Sequence, residues 1–209
     1  MSRLIIVGAG VMGALVTDLA RSCGYTEFGY FDDGAGLPEG THLGRFNEIE
    51  SYVDEYPNSD VCLALGYQCA EVKSSLFSVL RGRCNFPTLV HPTACVSPSA
   101  QIAPGCLLFA QSLVEMSVVL DQGVCVFQKA GIAHDCRVGE STIFAGAAVV
   151  TGRVEIGKRC FLGANSTVAN DITIGDDCVV GAATLVSRSI DAGSRVVGNP
   201  MRVVENLAI

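Results

Sequence analysis

Residues 150–168 read VTGRVEIGKRCFLGANSTV, and a large apolar side chain returns at every sixth position: Val150, Ile156, Leu162, Val168. The spacing continues unbroken in both directions. Upstream lie Val90, Val96, Ile102, Leu108, Val114, Leu120, Val126, Ile132, Val138 and Phe144; downstream lie Ile174, Val180 and Val186. Four residues after most of these the side chain is small, as at Ala94, Ala100, Cys106, Ser112, Ala130, Cys136, Thr142, Ala148, Cys160, Ser166, Cys178 and Thr184. A period of six over this length fits neither an α-helix nor an alternating strand. It fits a prism in which each hexad supplies one short strand and a corner, and three hexads complete a coil. Seventeen hexads give about 5.7 coils, or about 27 Å of stacked parallel strands. Gly139, Gly157, Gly163, Gly175 and Gly181 each follow a large inward residue, where the absence of a Cβ eases a tight corner.

Composition excludes several function classes. Twenty-one acidic against fourteen basic residues give a net charge of −7, with no basic cluster to follow a phosphate backbone, so nucleic acid is not an expected partner. No apolar run reaches the length needed to span a bilayer and the start does not read as a signal sequence, which predicts a cytoplasmic protein without membrane insertion. The ten cysteines contain no Cys-x-x-Cys pair, and four of them occupy the small inward position, so they read as small apolar side chains in a reducing compartment. No metal is expected.

Residues 3–87 have a different texture. LIIVGAG, FGYFDD and DVCLALG read as strands, whereas GALVTDLARSCG, RFNEIESYVDEY and AEVKSSLFSVLRG read as helices. Strands alternating with helices predict an α/β unit with a parallel sheet. Between the first strand and helix, Gly8-Ala9-Gly10-Val11-Met12-Gly13 spells G-x-G-x-x-G, and Asp32 follows nineteen residues after Gly13. The glycines allow a phosphate to approach the helix N-terminus, and a carboxylate at the end of the second strand can accept from ribose or base. About 85 residues are half of a full dinucleotide fold, which favours a mononucleotide. The expected organisation is an α/β half-Rossmann domain over 1–87, a parallel β-helix over 88–191 and a tail over 192–209 that leaves the hexad register.

Three histidines are present. His42 lies in a glycine-flanked loop and receives no role; His91, in VHPTA at the entry of the first coil, reads as structural. His134, in GIAHDCRVGE (131–140), is third in its hexad on an outward corner and is followed directly by Asp135. Taken alone, the stretch leaves it either a proton-transfer group or a solvated corner residue.

The GAGVMG…FDD segment, LVHPTACVSPSAQIAPG, IAHDCRVGE, VTGRVEIGKRCFLGANSTV and the closing VVGNPMRVV together resemble the bacterial nucleotide-sugar acetyltransferases of the sialic acid and bacillosamine pathway type, members of the hexapeptide-repeat left-handed β-helix superfamily. The resemblance covers essentially the whole chain. It implies an acetyltransferase using acetyl-CoA as co-substrate and an amino or, second to that, a hydroxyl group of a nucleotide-activated sugar as acceptor, with the coenzyme cleft between neighbouring prisms of a homotrimer. It implies His134 as general base, Asp135 as its orienting acid and the Gly152 N–H as donor to the thioester oxygen. Gly8, Gly10, Met12, Gly13, Asp32, Asp33 and Gly66 would contact the nucleotide sugar, and Phe127, Ile143 and Gly152 the acyl end.

The chemistry asks for the same parts. An attacking amine or hydroxyl must lose a proton, which an imidazole with a pKa near 6.5 is suited to accept, and the oxyanion that forms is stabilised by a pre-aimed N–H. His134 and Gly152 are eighteen residues apart, one coil of three hexads, and so share a corner of adjacent coils.

Phe127 stands where the family usually has an asparagine, Ile143 where many members have a second histidine, and Met12 where a histidine often precedes the last glycine of the loop. Each exchange is polar to apolar. A drier site predicts an altered acceptor or a longer acyl group, or else a paralogue that binds without turnover. A prism metalloenzyme with three histidine ligands is disfavoured, because His91 and His134 are 43 residues apart, not a multiple of eighteen, and His42 precedes the prism. A mean hydropathy of +0.41 is high for a monomer with a narrow prism core and agrees with apolar faces that meet in a trimer.

Overall fold

The computed structural model describes residues 3–34 and 40–205. The chain divides into two compact units, Met1–Val90 and His91–Ile209.

The first unit contains β1 (Arg3–Val7), α1 (Val11–Ser22), β2 (Glu27–Phe31), β3 (Thr41–Gly44), α2 (Ile49–Glu55), β4 (Asp60–Leu63) and α3 (Ala70–Val79). The strands are parallel, in the order β3-β2-β1-β4. Leu4 and Ile6 alternate with Ile5 and Val7, and all four are buried, as expected of a strand covered on both faces. Ile5, Val7, Phe31, Val61 and Leu63 share one core with Ile49 and Val53 of α2 and Leu76 and Phe77 of α3. On the opposite face Thr17 of α1 meets the buried Tyr30 hydroxyl at 2.8 Å. The strand order reverses beside β1, which opens a crevice at the carboxyl ends of β1 and β4. β3 was not expected from the sequence. It places His42 on a strand rather than in a loop, with Nε2 3.2 Å from the Asp32 carbonyl oxygen. Its four residues carry no apolar alternation that could announce it.

The second unit is the predicted solenoid, a left-handed parallel β-helix of about six turns. Two-residue strands recur every six residues, and each pairs in parallel with the strand eighteen residues on, as Gly131–Ile132 does with Val149–Val150. The second residue of each strand points inward and forms one continuous core from Leu108 to Val186. Val96 and Ile102 pack against that core but are only partly buried. Val90 departs from the expected pattern: it is 37% exposed, and its neighbour Leu89 is the buried one.

Every sixth residue from Gly105 to Ala183 adopts a positive φ, and most are not glycine; Asp135, Arg153 and Asp171 have φ of 58°, 58° and 60°. The left-handed region costs an L-residue roughly 1–2 kcal/mol. At these corners it aims the backbone N–H into the preceding coil: Asp135 N–H donates to the Met116 carbonyl (3.1 Å), Arg153 to His134 (3.0 Å) and Asp171 to Gly152 (3.2 Å). The hexad glycines are required for a different reason. A Cβ on Gly139 would stand 2.6 Å from the Gly157 carbonyl carbon, so these positions are small because the next coil approaches closely. After the hexads, Arg195–Val197 adds one more parallel strand against Val179–Val180 and Arg202–Val203 returns antiparallel to it. Residues 206–209 of the tail lie outside the described residues.

Candidate active site

One corner of the solenoid stacks Met116, His134, Gly152 and Asn170 at intervals of eighteen. The imidazole of His134 lies directly against Gly152. A Cβ built there would sit 2.6 Å from both Cε1 and Nε2 of the ring and 3.2 Å from Nδ1. Glycine at 152 is therefore a seat for the ring. His134 Nδ1 is 2.8 Å from Asp135 Oδ2, and the side chains are 41% and 50% exposed. The His134 backbone is held on both sides. Its N–H donates to the Glu115 carboxylate at 3.1 Å, and its carbonyl accepts from Arg153. Beneath the corner, burial pushes the Cys136 thiol up, so it stays protonated while donating to the Thr151 carbonyl oxygen at 3.1 Å.

With Nδ1–H given to Asp135, the Nε2 lone pair is the free basic position, and Nε2 has no hydrogen-bond partner among the described residues. The Gly152 N–H is engaged: it donates to Asn170 Oδ1 at 3.1 Å. Sequence reasoning did not single out Asn170, Glu115, Arg153 or Asp171. The signal that finds Asn170 and Asp171 is the eighteen-residue offset applied once more.

Phe127 and Ile143 do not join this corner. Phe127 begins the preceding corner of its coil, stacked on Phe109 with ring centroids 4.7 Å apart and 7° between planes. Ile143 pairs with Cys125 and Phe161 on another sheet and is 3% exposed. The outward face that follows the His134 corner forms a groove of about 390 Å³ lined by Val119, Arg137, Glu155, Lys158, Thr173 and Asp176. With Asp121 also lining it, two cations face three carboxylates, so the groove has no net positive charge to attract a diphosphate.

In the first unit, the parallel strands bring Gly8, Asp32 and Gly66 to one edge of the sheet. Gly8 has φ +97°, and a Cβ there would stand 2.7 Å from the Ala64 carbonyl oxygen. Gly13 likewise has no room, with Gly8 O at 2.3 Å from its would-be Cβ. Gly10 is exposed at the N-terminus of α1 with Met12 half-buried behind it. The first N–H groups of that helix have no helical carbonyl to satisfy them, which makes the loop an anion seat. Asp32 is partly committed to holding this loop: its carboxylate accepts from Ala9 N–H at 2.7 Å and Gly34 N–H at 2.6 Å. Asp33 accepts from Phe46 N–H at 3.3 Å. Gly66 is exposed and extended ahead of the turn Tyr67–Cys69. Among the described residues no three His, Cys, Asp or Glu side chains cluster as a metal site, and no helix is long and apolar enough to cross a membrane.

Comparison with known proteins follows the same two parts. Residues 3–78 match the PglD N-terminal domain, and residues 153–188 match the hexapeptide repeat of succinyl-transferase. In domain content and whole-chain fold the chain is similar to sugar acetyltransferases of the hexapeptide-repeat superfamily. The acetyltransferase domain of PglB from Neisseria gonorrhoeae FA1090, solved with acetyl coenzyme A, is 26% identical with a TM-score of 0.88, over 97% of this chain and 98% of that one. PerB from Caulobacter crescentus, solved with CoA and GDP-perosamine, is 25% identical with a TM-score of 0.80, over 98% of each chain. WeeI from Acinetobacter baumannii AYE shares the fold at 22% identity, with a TM-score of 0.83 over 98% of this chain and 100% of that one.

Proposed function

We propose that this protein transfers an acetyl group from acetyl-CoA to the amino group of a nucleotide-linked sugar, and that His134 is the general base. The observation that carries the reading is the imidazole seated on Gly152 with Nδ1 paired to Asp135, which leaves Nε2 as the basic nitrogen on an exposed corner. The whole-chain likeness to PglB solved with acetyl coenzyme A and to PerB solved with CoA and GDP-perosamine supports the two substrates. The nucleotide would dock at the Gly8–Gly13 loop, with Asp32, Asp33 and Gly66 on the same sheet edge.

In the reaction the sugar amine attacks the thioester carbon while its proton passes to His134 Nε2. The carbonyl becomes an oxyanion, the C–S bond then breaks, and the coenzyme thiolate takes the proton back from His134. No covalent enzyme intermediate forms. The Gly152 N–H serves the oxyanion by exchanging Asn170 Oδ1 for the substrate oxygen, a contact of the kind that contributes about 3 kcal/mol to barrier lowering.

The same reading makes the active unit a cytoplasmic homotrimer. Leu113 and Val149 are 39% and 41% exposed on one flat solenoid face, and Leu185 extends that row. Contact with neighbouring prisms would bury them and complete a coenzyme cleft that the groove of a single chain, lacking net positive charge, does not provide.

The test is thiol release from acetyl-CoA with a panel of nucleotide-linked amino sugars, native protein against His134→Ala. Release with one acceptor, lost in the variant, is expected. Release unchanged in His134→Ala would remove His134 from the chemistry.

A further inference from the structure

Beside the His134 column runs a second one, displaced by one residue: Ser117, Asp135, Arg153 and Asp171, each at the left-handed corner of its coil. Arg153 thus has one carboxylate a coil before it and another a coil after. By the spacing of stacked strands both lie about 4.8 Å away along the axis. The guanidinium is given wholly to the later one, with Nε 2.6 Å from Asp171 Oδ1 and Nη2 2.9 Å from Asp171 Oδ2. The earlier one, Asp135, is left to His134 at 2.8 Å.

We propose that Asp171 is a positioning residue for the His134–Asp135 pair: by holding Arg153 in a bidentate grip it keeps that cation off Asp135. The inference rests on His134 being the general base. Arginine is charged at every working pH and prefers a two-point carboxylate partner. With Asp171 neutralised, Asp135 becomes the only carboxylate at these corners one coil from Arg153. A guanidinium there would outcompete the single hydrogen bond from a neutral imidazole, and His134 would lose the group that fixes its tautomer and stabilises its protonated form.

The other groups facing His134 do not replace this arrangement. Glu115, from the preceding coil, is engaged by the His134 backbone N–H. Cys136 is held protonated by burial. Asp171 raises the Arg153 guanidinium above its ordinary value, chiefly through their hydrogen bonds, and Asp135 adds a smaller pull in the same direction, so the guanidinium already feels both acids. A purely stabilising role fits poorly, because the side chains are 52% and 62% exposed and such pairs contribute little in water. Arg159 and Asp177 make the same contact on another corner, with Ser141 rather than an acid one coil earlier.

The test compares Asp171→Asn, Arg153→Gln, the double variant and Asp177→Asn. Two readouts are used: the ring N–H resonance and tautomer of His134 by NMR, assigned through His134→Ala, and the pH profile of kcat/KM for thiol release. Asp171→Asn should weaken the Nδ1–H signal, lower kcat/KM at neutral pH by about tenfold and move the acid limb of the profile to lower pH. The double variant should return to the Arg153→Gln level, and Asp177→Asn should match the native protein. A double variant as impaired as Asp171→Asn, or an Asp171→Asn protein with native signal and profile, overturns the proposal. The NMR readout needs no acceptor, so a native protein without turnover would remove the acyl-transfer reading while still deciding whether Asp171 governs the pair.

Discussion

Replacing Gly152 by alanine isolates the seat of the ring proposed as general base. Gly152 does not have a left-handed φ, so alanine is compatible with its backbone, and the added methyl meets nothing nearer than His134. The Cβ would stand 2.6 Å from Cε1 and Nε2, whereas ordinary contacts begin at about 3.5 Å. The ring must therefore shift by roughly 0.9 Å. That moves Nε2 off its line to the amine and lengthens the 2.8 Å contact to Asp135. A displacement near 1 Å in a positioned catalytic group lowers the rate by about 100-fold, or about 2.7 kcal/mol of barrier. The assay is kcat for thiol release at saturating acetyl-CoA and acceptor, with the melting temperature measured in parallel. Gly146→Ala is the matched control: it holds the same hexad position one corner earlier, and its Cβ would be 3.6 Å from the Gln128 carbonyl oxygen, an ordinary contact. A loss of kcat confined to Gly152→Ala, with both variants melting near the native temperature, is expected. A Gly152→Ala enzyme within about twofold of native kcat would refute the idea that ring placement limits the chemistry.

Two further outcomes follow from neighbouring contacts. Asn170→Asp puts a carboxylate where an amide oxygen now accepts the Gly152 N–H; the charge-assisted bond competes better with the substrate oxygen, and kcat/KM for acetyl-CoA should fall about tenfold, while Asn170→Ala should not lower it. Equal losses in both variants would mean that Asn170 does not compete for that donor. Arg153 holds the Asp171 carboxyl below the usual carboxylate range, chiefly by hydrogen bonding. A depressed folded value gives stability that is present above the unfolded value of about 3.9 and is lost as pH falls through the folded one. The melting temperature of the native protein should therefore drop more steeply below pH 4 than that of Asp171→Asn, with parallel curves from pH 5 to 8; parallel curves throughout would count against the pairing.

The solenoid was legible because each hexad repeats one structural instruction, a large inward side chain and then a small one, and the structure obeys it from Leu108 to Val186. The corner conformation was not legible. Lys129, Ala147, Arg153 and Arg159 have no intrinsic preference for positive φ; the N–H bond to the preceding coil imposes it. Thr41–Gly44 escaped for a similar reason, since a short strand is held by its neighbour β2 and leaves no periodicity of its own. At the site, the stacking of His134 on Gly152 could be read from an offset of eighteen. Phe127 and Ile143 are seven residues before and nine after His134, offsets that place them on other parts of the prism. That the Gly152 donor is already occupied required the side-chain geometry of Asn170.

The solenoid and its chemistry count in different units. Loss of the single hexad 137–142 would leave every remaining hexad with its inward residue and its corner, and the prism would close as before. Lys158 would then lie eighteen residues after His134, and an ammonium side chain would replace the open seat under the imidazole. On the proposed mechanism, gain or loss of a hexad between His134 and Gly152 is thus silent for folding and disabling for catalysis, whereas the same event outside the span from Glu115 to Asp171 lengthens or shortens the molecule around an unchanged centre. In a lineage built by duplicating hexads, the active corner is the segment whose length selection must hold fixed.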